Sequence, residues 1–208
     1  MPDCSALLID FDGVLRHWPQ DDAVIERDSR LPHGAIRAAA FAAPRLVPAI
    51  TGRVDDSAWR EGIAADLIAR FPDADVAQAM RRWSQPPGRI DEEVRSILDS
   101  VRTRLRVVLV TNATSRLPQD LAALGLTPFF HGVANSSALG TAKPDAAIFH
   151  AALALAGVAA HEALFVDDSS RNVAAAGALG IHARRFEGPA TLRALLHEHG
   201  VTGVPRWR

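Results

Sequence analysis

The sequence predicts an α/β fold: a doubly wound, Rossmann-like parallel sheet with a small α-helical subdomain inserted near its start. Three observations lead there. Short continuous apolar runs end in polar residues, the pattern of strands buried on both faces of a parallel sheet. From residue 105 onward these runs alternate with helical patterns, two of which begin at proline and stop at glycine. Between residues ~17 and ~90 the alternation gives way to helical periodicity broken by Pro19, Pro32, Pro44, Pro48 and Pro72. The expected division is a core of residues 1–16 and 91–208 around an inserted helical subdomain of 17–90.

Taken in order, the first predicted strand is Ala6 to Ile9, which runs into Asp10-Phe11-Asp12-Gly13. No convincing strand follows within the insertion. Its clearest helix runs from about Asp56 to Phe71, with Trp59, Ile63, Leu67 and Phe71 on one face, and a second spans Asp75 to Trp83. Gln85-Pro86-Pro87-Gly88 reads as the return linker. The second strong run, Leu105 to Val110, ends in Thr111-Asn112, and the third, Ala163 to Val166, ends in Asp167-Asp168. Weaker strands are expected at Phe129 to Ala134 and Ile181 to Phe186. Helices are expected at Pro118 to Leu124, Pro144 to Ala156, Asn172 to Leu179 and Leu192 to His199.

Composition excludes several classes of function. The chain has 208 residues, 48% of them hydrophobic, and 23 basic against 24 acidic side chains. With no net excess of base and no basic stripe, neither nucleic acid nor an anionic membrane is expected as partner. No apolar run reaches the ~18 residues of a spanning helix. Met1-Pro2-Asp3 opens no signal peptide, and the single cysteine, Cys4, has no internal bridging partner. The expectation is a cytoplasmic protein, monomer or homodimer, whose length supports a core without disulfides or metal. Its histidines read as scattered surface or core residues; His197 and His199, two apart on a helix, do not share a face.

Four groups carry candidate chemistry. Asp10 and Asp12, two apart at a strand end, direct both carboxylates to one side if the strand stays extended. Thr111-Asn112 and Asp167-Asp168 follow the other two strong strands. Lys143, before a helix, is the one lysine among 23 basic residues. A chain that otherwise writes every base as arginine places an ammonium where a compact point charge serves and a broad guanidinium does not. Adjacent carboxylates repel, and a hard divalent cation relieves that cost. In open α/β sheets ligands bind beyond the carboxyl ends of the strands, where all four groups fall. Cation, ammonium and attacking carboxylate together suit phosphoryl transfer.

At Asp10-Phe11-Asp12-Gly13-Val14-Leu15, Thr111-Asn112, Lys143-Pro144 and Val166-Asp167-Asp168, with Asn172 beyond, the chain resembles the haloacid dehalogenase-like hydrolases. The insertion is similar to the helical cap of their phosphoglycolate phosphatase-like branch. The resemblance implies a Mg²⁺-dependent phosphatase acting on a small phosphorylated metabolite. It implies that Asp10 is the nucleophile and that Asp12, protonated at the first step, serves the leaving oxygen and then the water. Thr111, the Asn112 backbone and Lys143 would hold phosphoryl oxygens; Asp10, the Asp12 carbonyl and Asp168 would hold Mg²⁺, with Asp167 further back. A phosphomutase is the alternative within the same chemistry. A 2-haloacid dehalogenase is disfavoured by the acid at Asp12, a signalling receiver by the long insertion, and a non-catalytic phosphate-binding protein by the complete set of groups. Trp18, Trp59 and Trp83 are read as cap core, and Arg53 as solvated.

Overall fold

The computed structural model describes residues 4–19, 21–85, 87–201 and 203. Strand β1 (Ala6–Ile9) is followed by β2 (Arg16–His17) and five helices: α1 (Asp22–Asp28), α2 (Ala35–Ala40), α3 (Ala43–Ile50), α4 (Asp56–Arg70) and α5 (Val76–Ser84). Then come β3 (Arg89–Ile90), α6 (Glu92–Val101), β4 (Arg106–Thr111), α7 (Leu117–Ala123), β5 (Gly132–Asn135), α8 (Ser136–Leu139) and α9 (Ala146–Ala156). Strand β6 (Ala163–Asp167), α10 (Ser170–Ala178), β7 (His182–Arg185) and α11 (Pro189–Glu198) follow.

The main sheet is parallel, in the order β5-β4-β1-β6-β7. Central β1 is Ala-Leu-Leu-Ile and buried throughout, because helices cover both faces. Leu7 and Ile9 point into one layer with α6, α7 and α11, through residues such as Ile97, Leu121 and Leu195. Ala6 and Leu8 point into the other, with Ile148, Phe149 and Ala152 of α9 and Ala176 of α10. Helices on both faces of a parallel sheet make the fold doubly wound, as the sequence predicts.

Two local features differ from expectation. Residues 89–90 pair antiparallel with Arg16 and His17 in a ribbon of two residues per strand, too short to leave a periodic trace. Helix α6, not singled out by sequence, is capped by Asp91, whose Oδ1 accepts from the amides of Glu93 and Val94 at 3.0 Å each, and it buries Val94, Ile97, Leu98 and Val101. Helices α1–α5 enclose a separate apolar cluster in which Trp59, Ile63 and Leu67 of α4 meet Ile36 of α2 and Met80 of α5. Trp59 and Trp83 pack there, as read from the sequence. Trp18 does not: it is 41% exposed.

Candidate active site

Strand register assembles the first part of the site. Ile9 aligns with Leu109 of β4 and Val166 of β6, so the next residues in line are Asp10, Val110 and Asp167. By strand alternation Asp10 follows Leu8, and Asp167 follows Phe165, toward the α9 layer. Lys143 arrives from that layer, just ahead of α9. Its Nζ lies 2.7 Å from Asp10 Oδ1 and 2.6 Å from Asp167 Oδ2, and donates to the Val110 carbonyl at 2.8 Å. Three acceptors around one nitrogen match the three N–H bonds of an ammonium, which explains the single lysine of the chain. The backbone of Lys143 is clamped by the Asn112 side chain, which accepts from its N–H at 2.7 Å and donates to its carbonyl at 2.9 Å. Thr111 is buried beside it as the last residue of β4.

Asp167 is fully buried, and its oxygens are occupied. Besides Lys143, they accept from the Ser169 amide at 2.8 Å and from Asn172 Nδ2 at 3.0 and 3.1 Å. Asp168 is exposed, and its carboxylate lies against Gly13, where a Cβ would collide with it. Gly13 has φ +82°, in the left-handed region, so both backbone and space call for glycine. Asp10, Asp167 and Asp168 bring carboxylate oxygens within 4.8 Å of one another. One ammonium cannot balance three carboxylates. Burial pushes the Asp10 carboxyl up to about 7; Lys143 opposes this and Asp167 adds to it. Burial, then the Asp167 charge, also raises the Asp168 carboxyl. An all-oxygen donor set, buried at Asp10 and Asp167 and exposed at Asp168, with excess negative charge fits a hard divalent cation. With Asp167 already engaged, Asp10 and Asp168 are the side chains open to it.

Asp12 stands apart from this cluster. Its carboxylate accepts from Arg16 Nε at 2.7 Å and Nη2 at 2.9 Å, and from Trp18 Nε1 at 2.8 Å. The condition under which both carboxylates would point to one side, a strand extended through Asp12, is not met: β1 ends at Ile9, the chain turns at Gly13, and Asp12 enters a fork with Arg16. The Arg16 guanidinium is sandwiched between the rings of Phe11 and Trp18, 4.2 Å from each centroid, and donates to Asp120 at 2.8 Å. Asp120 also accepts from Arg116 at 2.9 Å. Sequence reading missed Arg16, Arg116 and Asp120. It had no signal for them, because arginines crowd the chain.

A cavity of about 190 Å³ lies between α1–α5 and the ends of β1 and β4. Asp12 and Asn112 line it on the sheet side; Trp18, Phe41, Trp59 and Trp83 line the other, with Arg37 and Arg60. Helix α4 is anchored to the loop after β4: Thr114 Oγ1 donates to Asp56 at 2.7 Å, and the Asp56 amide to Ser115 Oγ at 2.9 Å. Arg53, read as solvated, is exposed.

A parallel sheet with helices on both faces, and a lysine among carboxylates at its carboxyl edge, defines a class of α/β enzyme. The family model for haloacid dehalogenase-like hydrolases matches residues 4–180. A haloacid dehalogenase-like hydrolase domain-containing protein 3 from Xenopus laevis is 33% identical over 131 residues, 62% of this chain and 49% of that protein. The chain thus spans about half the length of that relative. A plasmid phosphoglycolate phosphatase from Cupriavidus necator is 31% identical over 193 residues, 86% of this chain and 78% of that protein. Among solved structures, a HAD family enzyme from Bacteroides thetaiotaomicron, in complex with magnesium and inorganic phosphate, superposes with a TM-score of 0.67. It is 22% identical, over 88% of this chain and 93% of that one. The chain belongs to the haloacid dehalogenase-like hydrolases.

Proposed function

We propose that the protein is a Mg²⁺-dependent phosphatase for a small phosphorylated metabolite, working through an aspartyl-phosphate on Asp10, with residues 17–90 as a cap over a core of 1–16 and 91–208. The observation that carries this reading is the differential treatment of the Asp10 oxygens. Oδ1 is held by Lys143 Nζ and accepts from the Phe11 amide at 2.7 Å. Oδ2 is left to attack phosphorus. The similarity to a phosphoglycolate phosphatase and to a fold solved with magnesium and phosphate supports the same chemistry.

In the first step Asp10 Oδ2 bonds to phosphorus, the bond from phosphorus to the leaving oxygen breaks, and Asp12 gives that oxygen its proton. In the second, Asp12 takes a proton from water, whose oxygen bonds to phosphorus and displaces Asp10. Arg16 is a positioning residue for Asp12. Thr111, the Asn112 amide and Lys143 hold phosphoryl oxygens, and burial of Lys143 gives its charge more effect than it would have in water. Asp10, the Asp12 carbonyl and Asp168 would hold Mg²⁺, with Asp167 behind them; when bound, the ion neutralises phosphoryl charge. The leaving group occupies the cavity, which suits a small molecule. Acid quench during turnover, followed by mass spectrometry, tests the intermediate. A hydroxylamine-labile phosphoryl adduct on the peptide containing Asp10 is expected; steady turnover with no adduct, even under single-turnover conditions, overturns it.

A further inference from the structure

At the opposite edge of the sheet, Cys4, His182 and His199 converge. Cys4 lies two residues before β1, His182 is the first residue of β7, and His199 follows the last turn of α11. One ligand atom from each lies within 4.8 Å of the others. We propose that these three side chains form a site for a borderline-soft divalent cation of the Zn²⁺ type, with its fourth position open to water.

The geometry supports this at three points. Cys4 Sγ and His199 Nδ1 are 3.6 Å apart. A tetrahedral ion with bonds of about 2.3 Å to sulfur and about 2.05 Å to nitrogen separates those two ligands by about 3.6 Å. His182 presents Nε2 to the His161 carbonyl at 3.1 Å, the outer hydrogen bond by which a ligating histidine fixes its tautomer, and this leaves Nδ1 for an ion. The two imidazoles lie with centroids 4.5 Å apart and planes tilted by 50°, so neither ring blocks the other. The donors also select the ion. One thiol and two imidazoles, with no carboxylate among them, favour zinc over magnesium. The neighbouring Glu198 is turned away, its oxygens 2.8 and 2.7 Å from Arg184.

Binding deprotonates the thiol: sulfur bonds to the ion and one proton leaves to solvent. The bound ion joins the segment before β1 to β7 and to the end of α11, as a staple across the base of the sheet. Six residues of roughly 3.3 Å each separate Cys4 from Asp10, about 20 Å, so the site is independent of the phosphoryl chemistry.

Co²⁺ titration of the full-length, chelator-stripped protein tests the site. One equivalent is expected to produce a thiolate-to-cobalt charge-transfer band. One equivalent of Zn²⁺ should bleach it, and excess Mg²⁺ should leave it in place. Cobalt held by carboxylates alone carries no such band. Cys4→Ser should abolish the band, and His182→Gln, at an exposed position, should weaken binding at least about tenfold. With Zn²⁺ at about a hundred times its dissociation constant, the wild-type Tm should rise by at least about 5 °C and that of Cys4→Ser should not. His182→Gln should keep its Mg²⁺-supported hydrolysis of an aryl phosphate. No thiolate band, or a band of equal intensity and affinity in folded His182→Gln, overturns the proposal and leaves a thiol–imidazole hydrogen bond in its place.

Discussion

Arg16→Met isolates the charge network that sets Asp12. The Arg16 side chain is 4% exposed and that of its partner Asp120 is 8% exposed, so the pair is shielded from water, whereas Asp12 is 37% exposed. Breaking a buried ion pair by removing one partner costs about 3–5 kcal/mol, because the remaining charge stays uncompensated. Asp120 keeps Arg116 at 2.9 Å, which places the expected loss at the lower end, about 3 kcal/mol. For a chain of this size that is a Tm decrease of about 6–12 °C. Adding Asp120→Asn neutralises the stranded charge while leaving Arg116 an acceptor, so at least half of the lost Tm should return. Activity should not return, since Asp12 still lacks the fork that orients it; kcat at least about tenfold below wild type is expected in both variants. The assays are thermal unfolding followed by circular dichroism and steady-state phosphate release from an aryl phosphate. Arg16→Met melting within about 2 °C of wild type would refute the shielding argument. Full kcat in the double variant would refute the role of Arg16 in positioning Asp12.

Gly13→Ala should lower stability by about 1–2 kcal/mol for its left-handed backbone and displace the Asp168 carboxylate. The Mg²⁺ concentration for half-maximal activity should rise at least about tenfold, and an unchanged Mg²⁺ response would show that Asp168 does not hold the ion. Raised from 3.8 to about 7 in the folded state, Asp10 binds more protons there than when unfolded. Its cost is therefore absent below about pH 4, grows through the interval, and is complete above pH 7, where it reaches at most about 4 kcal/mol. Metal-free Asp10→Asn should thus gain stability over wild type as pH rises from 5 to 8 in denaturant melts; a pH-independent difference would contradict the burial argument. Lys143→Arg keeps the charge but cannot serve three convergent acceptors within its space, and kcat/KM should fall at least about a hundredfold. A loss of less than about threefold would show that charge alone suffices.

What could be read from the sequence was set by local pattern. β1, β4 and β6 stand out as apolar runs because a central parallel strand has no wet face to interrupt it. Lys143 stood out by rarity, and the structure gives the reason in its three acceptors. Asp10 and Asp167 meet because register aligns two strand ends, which spacing within each segment already suggests. Arg16 and Asp120 meet across 104 residues, and nothing local marks either one. The turn at Gly13 was legible, but its consequence, an Asp12 directed to Arg16 and Trp18, depends on packing that periodicity does not encode. Trp18 failed as a core residue for the same reason: its indole N–H has a carboxylate partner at the cavity wall. Cys4 lies far along the chain from both His182 and His199, so no local spacing marks the three as a group.

Phosphate release from a panel of phosphorylated metabolites and an aryl phosphate, with and without Mg²⁺, beside an Asp10→Asn control, tests the central claim most directly. Release that needs Mg²⁺ and disappears in Asp10→Asn is the expected result, and the ranking within the panel then identifies the substrate. Wild type and Asp10→Asn releasing phosphate equally, or both remaining inert across the panel, would contradict a phosphatase built on Asp10.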